Sequence, residues 1–194
     1  MKLSLELAYT TPPEWAAQAV TDLDYFLQDH ADCERKASSM AMSFIAKCPD
    51  KVEIIPELIE TAIEELEHFQ QVYDILQQRG KQLRAQMPKD EYVHQLISLC
   101  RSGRDERLMD RLLLASIIEC RGAERFKLIS EALEDSELKS FYKQLWISEA
   151  KHGHIFVKFA LNYWDQEIVY KRLHELNEKE GEICSKLEWT CRLH

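Results

Sequence analysis

The sequence predicts an all-α protein built around four long helices in two antiparallel pairs. Gly and Pro number only five each in 194 residues, which favours long helices over a fold of strands and turns. Apolar residues recur at helical spacing over long stretches. Each pair of long helices is joined by a tight turn, one near Pro49 and one near Asp135, and short loops of this kind make antiparallel hairpins.

The first helix is expected to start in the stretch TPPE at 11–14. Thr11 is a candidate N-cap, Pro12 suits the first helical position, and Glu14 follows three residues after the cap. This helix should extend to about Leu27. The remaining helices are predicted at residues 29–47, 52–79, 91–100, 105–133, 137–163 and 166–190.

The helix predicted at 52–79, which should end at Gly80, has an apolar stripe. Its expected members are Leu58, Ile59, Ala62, Leu66, Phe69, Val72, Tyr73 and Leu76. A connection at 81–104 with its own short helix separates the two pairs of long helices. One long crossover between two hairpins is the ferritin-like four-helix arrangement, here with extra flanking helices. We expect residues 1–194 to form a single domain.

Composition limits the classes of function. The net charge of −9 argues against a broad basic surface for nucleic acid. None of the six cysteines forms a CxxC pair, so they are interpreted as reduced thiols of a cytoplasmic protein. The N-terminus has no signal-peptide core, and no apolar run approaches the roughly 20 residues of a membrane span.

The spacing ExxH occurs at two places on the predicted long helices. Glu65 precedes His68, and Glu149 precedes His152, so each pair shares one helix face. A third match, Glu91 to His94, follows Asp90 at a helix start and is interpreted as accidental. A single ExxH is a weak signal, because glutamate is abundant in this chain.

A lone glutamate stands opposite each ExxH. Glu34 precedes Glu65 by 31 residues and Glu119 precedes Glu149 by 30 residues. In each pair, the two glutamates are separated from the predicted turn by about the same number of residues. At about 1.5 Å rise per residue, both members of a pair therefore lie at the same height along the hairpin, roughly 20 Å from the turn. The chain thus contains two copies of one pattern, which is that of carboxylate-bridged di-iron or di-manganese bundles.

The chemistry of such a site requires these residue types. Carboxylate oxygens suit iron or manganese, and one imidazole on each metal leaves coordination positions open for dioxygen. Four carboxylates balance two ferrous ions. The alternative for each glutamate taken alone is a solvated helix surface.

Several neighbours of these residues allow two interpretations. Gly122, one turn after Glu119, either opens space for a ligand or permits close helix packing. His30, His154 and Glu124 are either partners of the ligands or surface residues. Glu67 is predicted to be exposed, and the spacing leaves Glu64 undecided.

Four stretches resemble the tRNA 2-methylthio-isopentenyladenosine hydroxylases. They are FLQDHADCERKASSMAMSFIAKCPDK, LIETAIEELEHFQQVYDILQQRG, LLLASIIECRGAERFKLI and SEAKHGHIFVKFA. The resemblance implies a dioxygen-dependent di-iron monooxygenase that hydroxylates the isopentenyl group of the modified adenosine beside the tRNA anticodon. It also implies the iron ligands, which are Glu34, Glu65, His68, Glu119, Glu149 and His152.

The same resemblance implies partners. Each turnover needs two electrons, and the chain has neither a CxxC module nor a nucleotide-binding glycine fingerprint, so the donor should be a separate protein. Ala115, Gly122 and Phe126 are candidates for contact with the prenyl tail. Arg101 and Arg104 are candidates for contact with tRNA, the alternative being solvated charge. We expect a monomer or dimer, whereas an iron-storage or ferroxidase bundle, the alternative function, would assemble as a cage.

Overall fold

A computed structural model describes residues 5–194, and every regular element in that range is helical. The elements are α1 (Pro13–Ala19), a 3-10 turn (Val20–Asp22), α2 (Leu23–Lys47), α3 (Ile55–Gln78), α4 (Glu91–Ser98), α5 (Arg104–Ala132), α6 (Ser136–Leu161) and α7 (Gln166–Cys184). The predicted all-α class is confirmed. Among these helices, none is long and apolar enough to cross a membrane.

The chain divides into two compact units, which we describe separately. The α2–α3 unit comprises Thr21–Pro88 and Cys191–Leu193. The α5–α6 unit comprises the described residues up to Val20, Lys89–Thr190 and His194, and it contains α1 and α4 to α7. The single-domain organisation stays a prediction.

The N-terminal helix differs from the sequence prediction in both its start and its end. The N-cap is Pro12, whose backbone is extended (φ −62°, ψ 143°), because a residue before a proline is disfavoured in the helical region. The predicted cap, Thr11, instead donates its hydroxyl to Glu124 Oε2 at 2.7 Å. Asp22 caps α2 by accepting from Tyr25 N at 3.1 Å, so α2 starts at Leu23 rather than near residue 29.

Helices α2 and α3 form an antiparallel hairpin. Between Glu34 and the turn, Ser38 Oγ donates to the carbonyl of Ala62 at 2.8 Å. At the opposite end, Asp24 forms ion pairs with Arg79 (2.7 Å) and Lys81 (2.9 Å). The predicted stop is confirmed, because Gly80 adopts φ +67° just after the helix.

The apolar stripe predicted for α3 is only partly correct. Leu58, Val72 and Leu76 are buried, but Ile59 is 43% exposed and Leu66 is 55% exposed. Each helical residue is rotated by about 100° from the one before it, so Leu66 points away from the face that buries Glu65. A carboxylate therefore occupies a position that the hydrophobic pattern would assign to an apolar side chain.

Helices α5 and α6 form the second hairpin, in the α5–α6 unit. Asp135 caps α6 by accepting from Glu137 N (2.9 Å) and Leu138 N (3.0 Å). Along the hairpin, Ser116 Oγ donates to the carbonyl of Gly153 at 2.5 Å. This hydrogen bond therefore fixes the register of the two helices next to the predicted ligands Glu119 and His152.

A buried ion pair connects α5 to α7. The Arg121 guanidinium donates to both oxygens of Glu180, at 2.8 and 2.9 Å, and neither side chain is exposed to solvent. Tyr92 donates its hydroxyl to Glu180 at 2.8 Å, and Arg121 also donates to the carbonyl of Tyr9 at 2.8 Å. Burial by itself lowers the pKa of Arg121, but its hydrogen bonds to Glu180 raise that pKa above the ordinary value.

We expect Arg121→Ala to lower the free energy of unfolding by about 3–5 kcal/mol, because it leaves the Glu180 carboxylate buried without its cation. Urea unfolding followed by circular dichroism measures the change. Arg104→Ala, at an exposed arginine of the same helix, is the matched control and should cost less than about 0.5 kcal/mol. Equal losses in the two variants would contradict a central role for the buried pair.

Candidate metal centre

The α2–α3 unit brings together three of the predicted ligands. Glu34 lies on α2, and Glu65 and His68 lie one turn apart on α3. All three are buried, and their ligand atoms lie within 4.8 Å of one another. His68 Nδ1 is 3.8 Å from Glu34 Oε2 and 3.7 Å from Glu65 Oε2. We call these residues the α2–α3 triad.

The α5–α6 unit brings together the other three. Glu119 lies on α5, and Glu149 and His152 lie one turn apart on α6. They too are buried, with ligand atoms within 4.8 Å of one another. His152 Nδ1 is 3.3 Å from Glu149 Oε2. This α5–α6 triad has the same composition and order as the α2–α3 triad.

The donor set of each triad fits a metal ion. Oxygen and nitrogen ligands lie about 2.0–2.2 Å from a first-row ion, so two ligands of one ion can be up to about 4 Å apart, as His68 is from both of its glutamates. Two carboxylates buried side by side repel one another and are costly to desolvate without a cation. Carboxylates with one imidazole suit iron or manganese.

The other glutamates and histidines near these spacings lie outside the triads. Glu67 is exposed as predicted, and Glu64, which the spacing left undecided, is exposed as well. The Glu91 and His94 side chains are each 57% exposed, which agrees with an accidental ExxH. Asp90 caps α4 by accepting from Val93 N at 3.0 Å.

The three possible partners of the ligands differ in position. His30 Nε2 lies 2.6 Å from Glu34 Oε1, so this histidine contacts a triad member. His154 is exposed. Glu124 binds Thr11 and Arg121 and therefore belongs to the buried network around Arg121.

Gly122 leaves space beside the α5–α6 triad. A methyl group added at this buried glycine would have only Phe126 Cε2, at 3.9 Å, within 4 Å outside the backbone of its own helix. Close helix packing therefore does not explain the glycine. Phe126 is buried and its ring is centred 5.6 Å from that of Tyr142.

A cleft of about 750 Å³ lies in the α5–α6 unit. Its wall includes Ala123, Glu124, Lys127 and Trp146, together with the segment around Thr10. Ala123 is one turn beyond Glu119, and Trp146 is one turn before Glu149. The cleft has no signature in the sequence, because the N-terminal segment completes its wall only in the folded protein.

The two arginines predicted to contact tRNA have different surroundings. Arg101 donates to Asp110 Oδ1 at 2.8 Å and to Asp110 Oδ2 at 3.0 Å, while Arg172 donates to the same carboxylate. Burial raises the pKa of Asp110, but these hydrogen bonds lower it below its ordinary value. Arg104, at the start of α5, is exposed. Arg101 thus has a structural partner that its sequence neighbours did not reveal.

Comparison with known proteins identifies the family. The family described as tRNA-(MS[2]IO[6]A)-hydroxylase (MiaE) matches residues 2–194. The chain belongs to this family. A tRNA 2-(methylsulfanyl)-N(6)-isopentenyladenosine(37) hydroxylase of Pseudomonas putida is 34% identical over 188 residues, covering 97% of this chain and 91% of that protein. The protein of the same name from Salmonella typhimurium is 24% identical, with a match that covers 95% of this chain and 85% of that protein.

A solved structure is similar over the whole chain. It is Protein 43 with aldehyde deformylating oxygenase activity from Synechococcus, with 30% sequence identity and a TM-score of 0.92. The match covers 100% of this chain and 96% of that one. The resemblance to the hydroxylase family and the ferritin-like fold class, both predicted from the sequence, are confirmed.

We expect Gly122→Ala to keep the fold and to raise the free energy of unfolding by up to about 1 kcal/mol, because alanine is the better helix former and the added methyl group fits. Gly181→Ala, in the last turn of α7, is the matched comparison. Its methyl group would lie 3.2 Å from Ala8 Cβ and 3.3 Å from Tyr9 N, so it should destabilise the protein. Urea unfolding measures both, and a larger loss for Gly122→Ala would contradict the space assigned to Gly122.

Proposed function

We propose that this protein is a dioxygen-dependent tRNA hydroxylase. Its substrate is the isopentenyl group of 2-methylthio-isopentenyladenosine beside the anticodon. The observation that carries the proposal is the pair of buried triads in a chain that matches the hydroxylase family over residues 2–194. Both relatives named above are called hydroxylases of this nucleoside at position 37.

The metal site proposed for this reaction contains two iron ions. Its ligands are Glu34, Glu65, His68, Glu119, Glu149 and His152. Each triad supplies two carboxylates and one imidazole, so four carboxylates balance the charge of two ferrous ions. When bound, the iron would supply the activation of dioxygen, the co-substrate of the reaction.

The chain itself would bind and orient the prenyl group. Gly122 leaves room beside Glu119, and the buried rings of Phe126 and Tyr142 provide an apolar wall one to two turns away. Such a wall excludes water, so it favours hydroxylation of the bound carbon over side reactions. The cleft beside Trp146 is a candidate for the adenine ring, because an indole offers a face for stacking.

The remaining partners follow from the chemistry. Two electrons are needed for each oxygen atom inserted, and we propose that a separate protein donates them. The substrate is tRNA, so we place the enzyme in the cytoplasm, and we expect a monomer or dimer. For contact with the tRNA backbone, the exposed Arg104 is a better candidate than Arg101, whose guanidinium is bound to Asp110.

The direct test is reaction of the iron-loaded protein with dioxygen, a chemical reductant and tRNA that carries the prenylated nucleoside. Mass spectrometry of the digested tRNA should show a gain of one oxygen atom on that nucleoside. Glu119→Ala and His152→Ala should lower the rate by more than the roughly 10–100-fold typical of losing a partner of a metal ligand, because each removes a ligand itself.

Matched controls are available at exposed positions close to the triads. Glu67→Ala and His154→Ala make the same chemical changes without touching a triad and should leave the rate unchanged. If the protein instead takes up many iron ions per chain and leaves the nucleoside unmodified, iron storage, and not tRNA hydroxylation, is its function.

A further inference from the structure

His30 and Glu34 form a close buried contact on α2. His30 is 0% exposed and Glu34 is 4% exposed. Four residues apart, they lie on the same helix face, with His30 Nε2 at 2.6 Å from Glu34 Oε1. An ionised carboxylate, the form that binds a metal ion, only accepts hydrogen bonds, so toward this form the imidazole donates from Nε2.

The two oxygens of Glu34 have different neighbours. Oε1 faces His30, whereas Oε2 lies 3.8 Å from His68 Nδ1 and so belongs to the α2–α3 triad. The hydrogen bond from His30 therefore fixes the rotation of the carboxylate. In that orientation, Oε2 is directed toward His68, a second member of the triad.

The turn of α2 that carries His30 is itself anchored. The neighbouring Asp29 is buried and accepts from Arg192 Nε at 2.7 Å and from Leu193 N at 2.9 Å. The C-terminal segment thus holds this turn within the α2–α3 unit. The imidazole is presented to Glu34 from a constrained backbone, which limits the entropy lost when the carboxylate is positioned.

We propose that His30 is a positioning residue for the metal ion of the α2–α3 triad. By donating to Oε1, it keeps Oε2 available to the ion and prevents the carboxylate from turning away. The inference rests on the proposed metal site. Partners of this kind orient metal ligands, and their loss typically lowers metal affinity about 10–100-fold.

The second triad has no equivalent histidine. Ala115 stands four residues before Glu119, at the position that His30 has relative to Glu34, and it is buried. An alanine side chain cannot donate a hydrogen bond. We therefore expect the effect of His30 to be limited to one of the two bound ions.

The test is anaerobic titration of the metal-free protein with Co²⁺, followed by visible absorption and calorimetry. His30→Leu removes the donor, and His30→Gln retains an N–H donor on a side chain of similar reach. The native protein should bind two Co²⁺ per chain. His30→Leu should weaken one of the two sites about 10–100-fold and change its absorption spectrum, while His30→Gln restores most of the affinity.

The control is His154→Leu, a replacement of the exposed histidine that follows the second triad, which should titrate as the native protein does. Thermal unfolding of each metal-free variant separates positioning from folding. If a folded His30→Leu variant binds Co²⁺ at both sites with unchanged affinity, the role of His30 is overturned. It is also overturned if His30→Leu and His30→Gln weaken Co²⁺ binding equally. Failure of the native protein to bind two ions would instead overturn the proposed metal site.

Discussion

In each helical hairpin, two carboxylates and an imidazole are buried within a few ångströms of one another. Such a group is costly to desolvate, and its carboxylates repel one another unless a cation lies between them. The neighbouring side chains in each hairpin are consistent with these buried carboxylates. Glu65 takes an inward position while Leu66 faces solvent, and the small residues Ala115 and Gly122 lie one turn before and one turn after Glu119.

The two hairpins repeat one ligand pattern but differ beside it. On α2, His30 fixes the carboxylate of Glu34, and Ala37 follows one turn later. On α5, the corresponding positions are Ala115 and Gly122, and a methyl group would fit at the glycine. One triad is thus built for a firmly oriented ligand, and the other has space next to its lone glutamate. In the proposed function, the prenyl group would use the space beside Gly122.

The sequence predicted the long helices and the six candidate ligands because both depend on spacing along one helix or on symmetry about a short turn. It missed features that depend on distant partners. The Arg121–Glu180 pair joins residues 59 positions apart, and Asp110, which binds Arg101, is also bound by Arg172, 62 positions from Asp110. The start of α2 was misplaced because the 3-10 turn at Val20–Asp22 interrupts an otherwise helical pattern.

Each triad is proposed to hold one metal ion. Iron content per chain, measured by inductively coupled plasma mass spectrometry after anaerobic loading and desalting, tests it most directly. The native protein should retain two iron ions, His68→Ala and His152→Ala should each retain at most one, and the double variant should retain none. Unchanged iron content in both single variants, with the fold intact by circular dichroism, would contradict the claim.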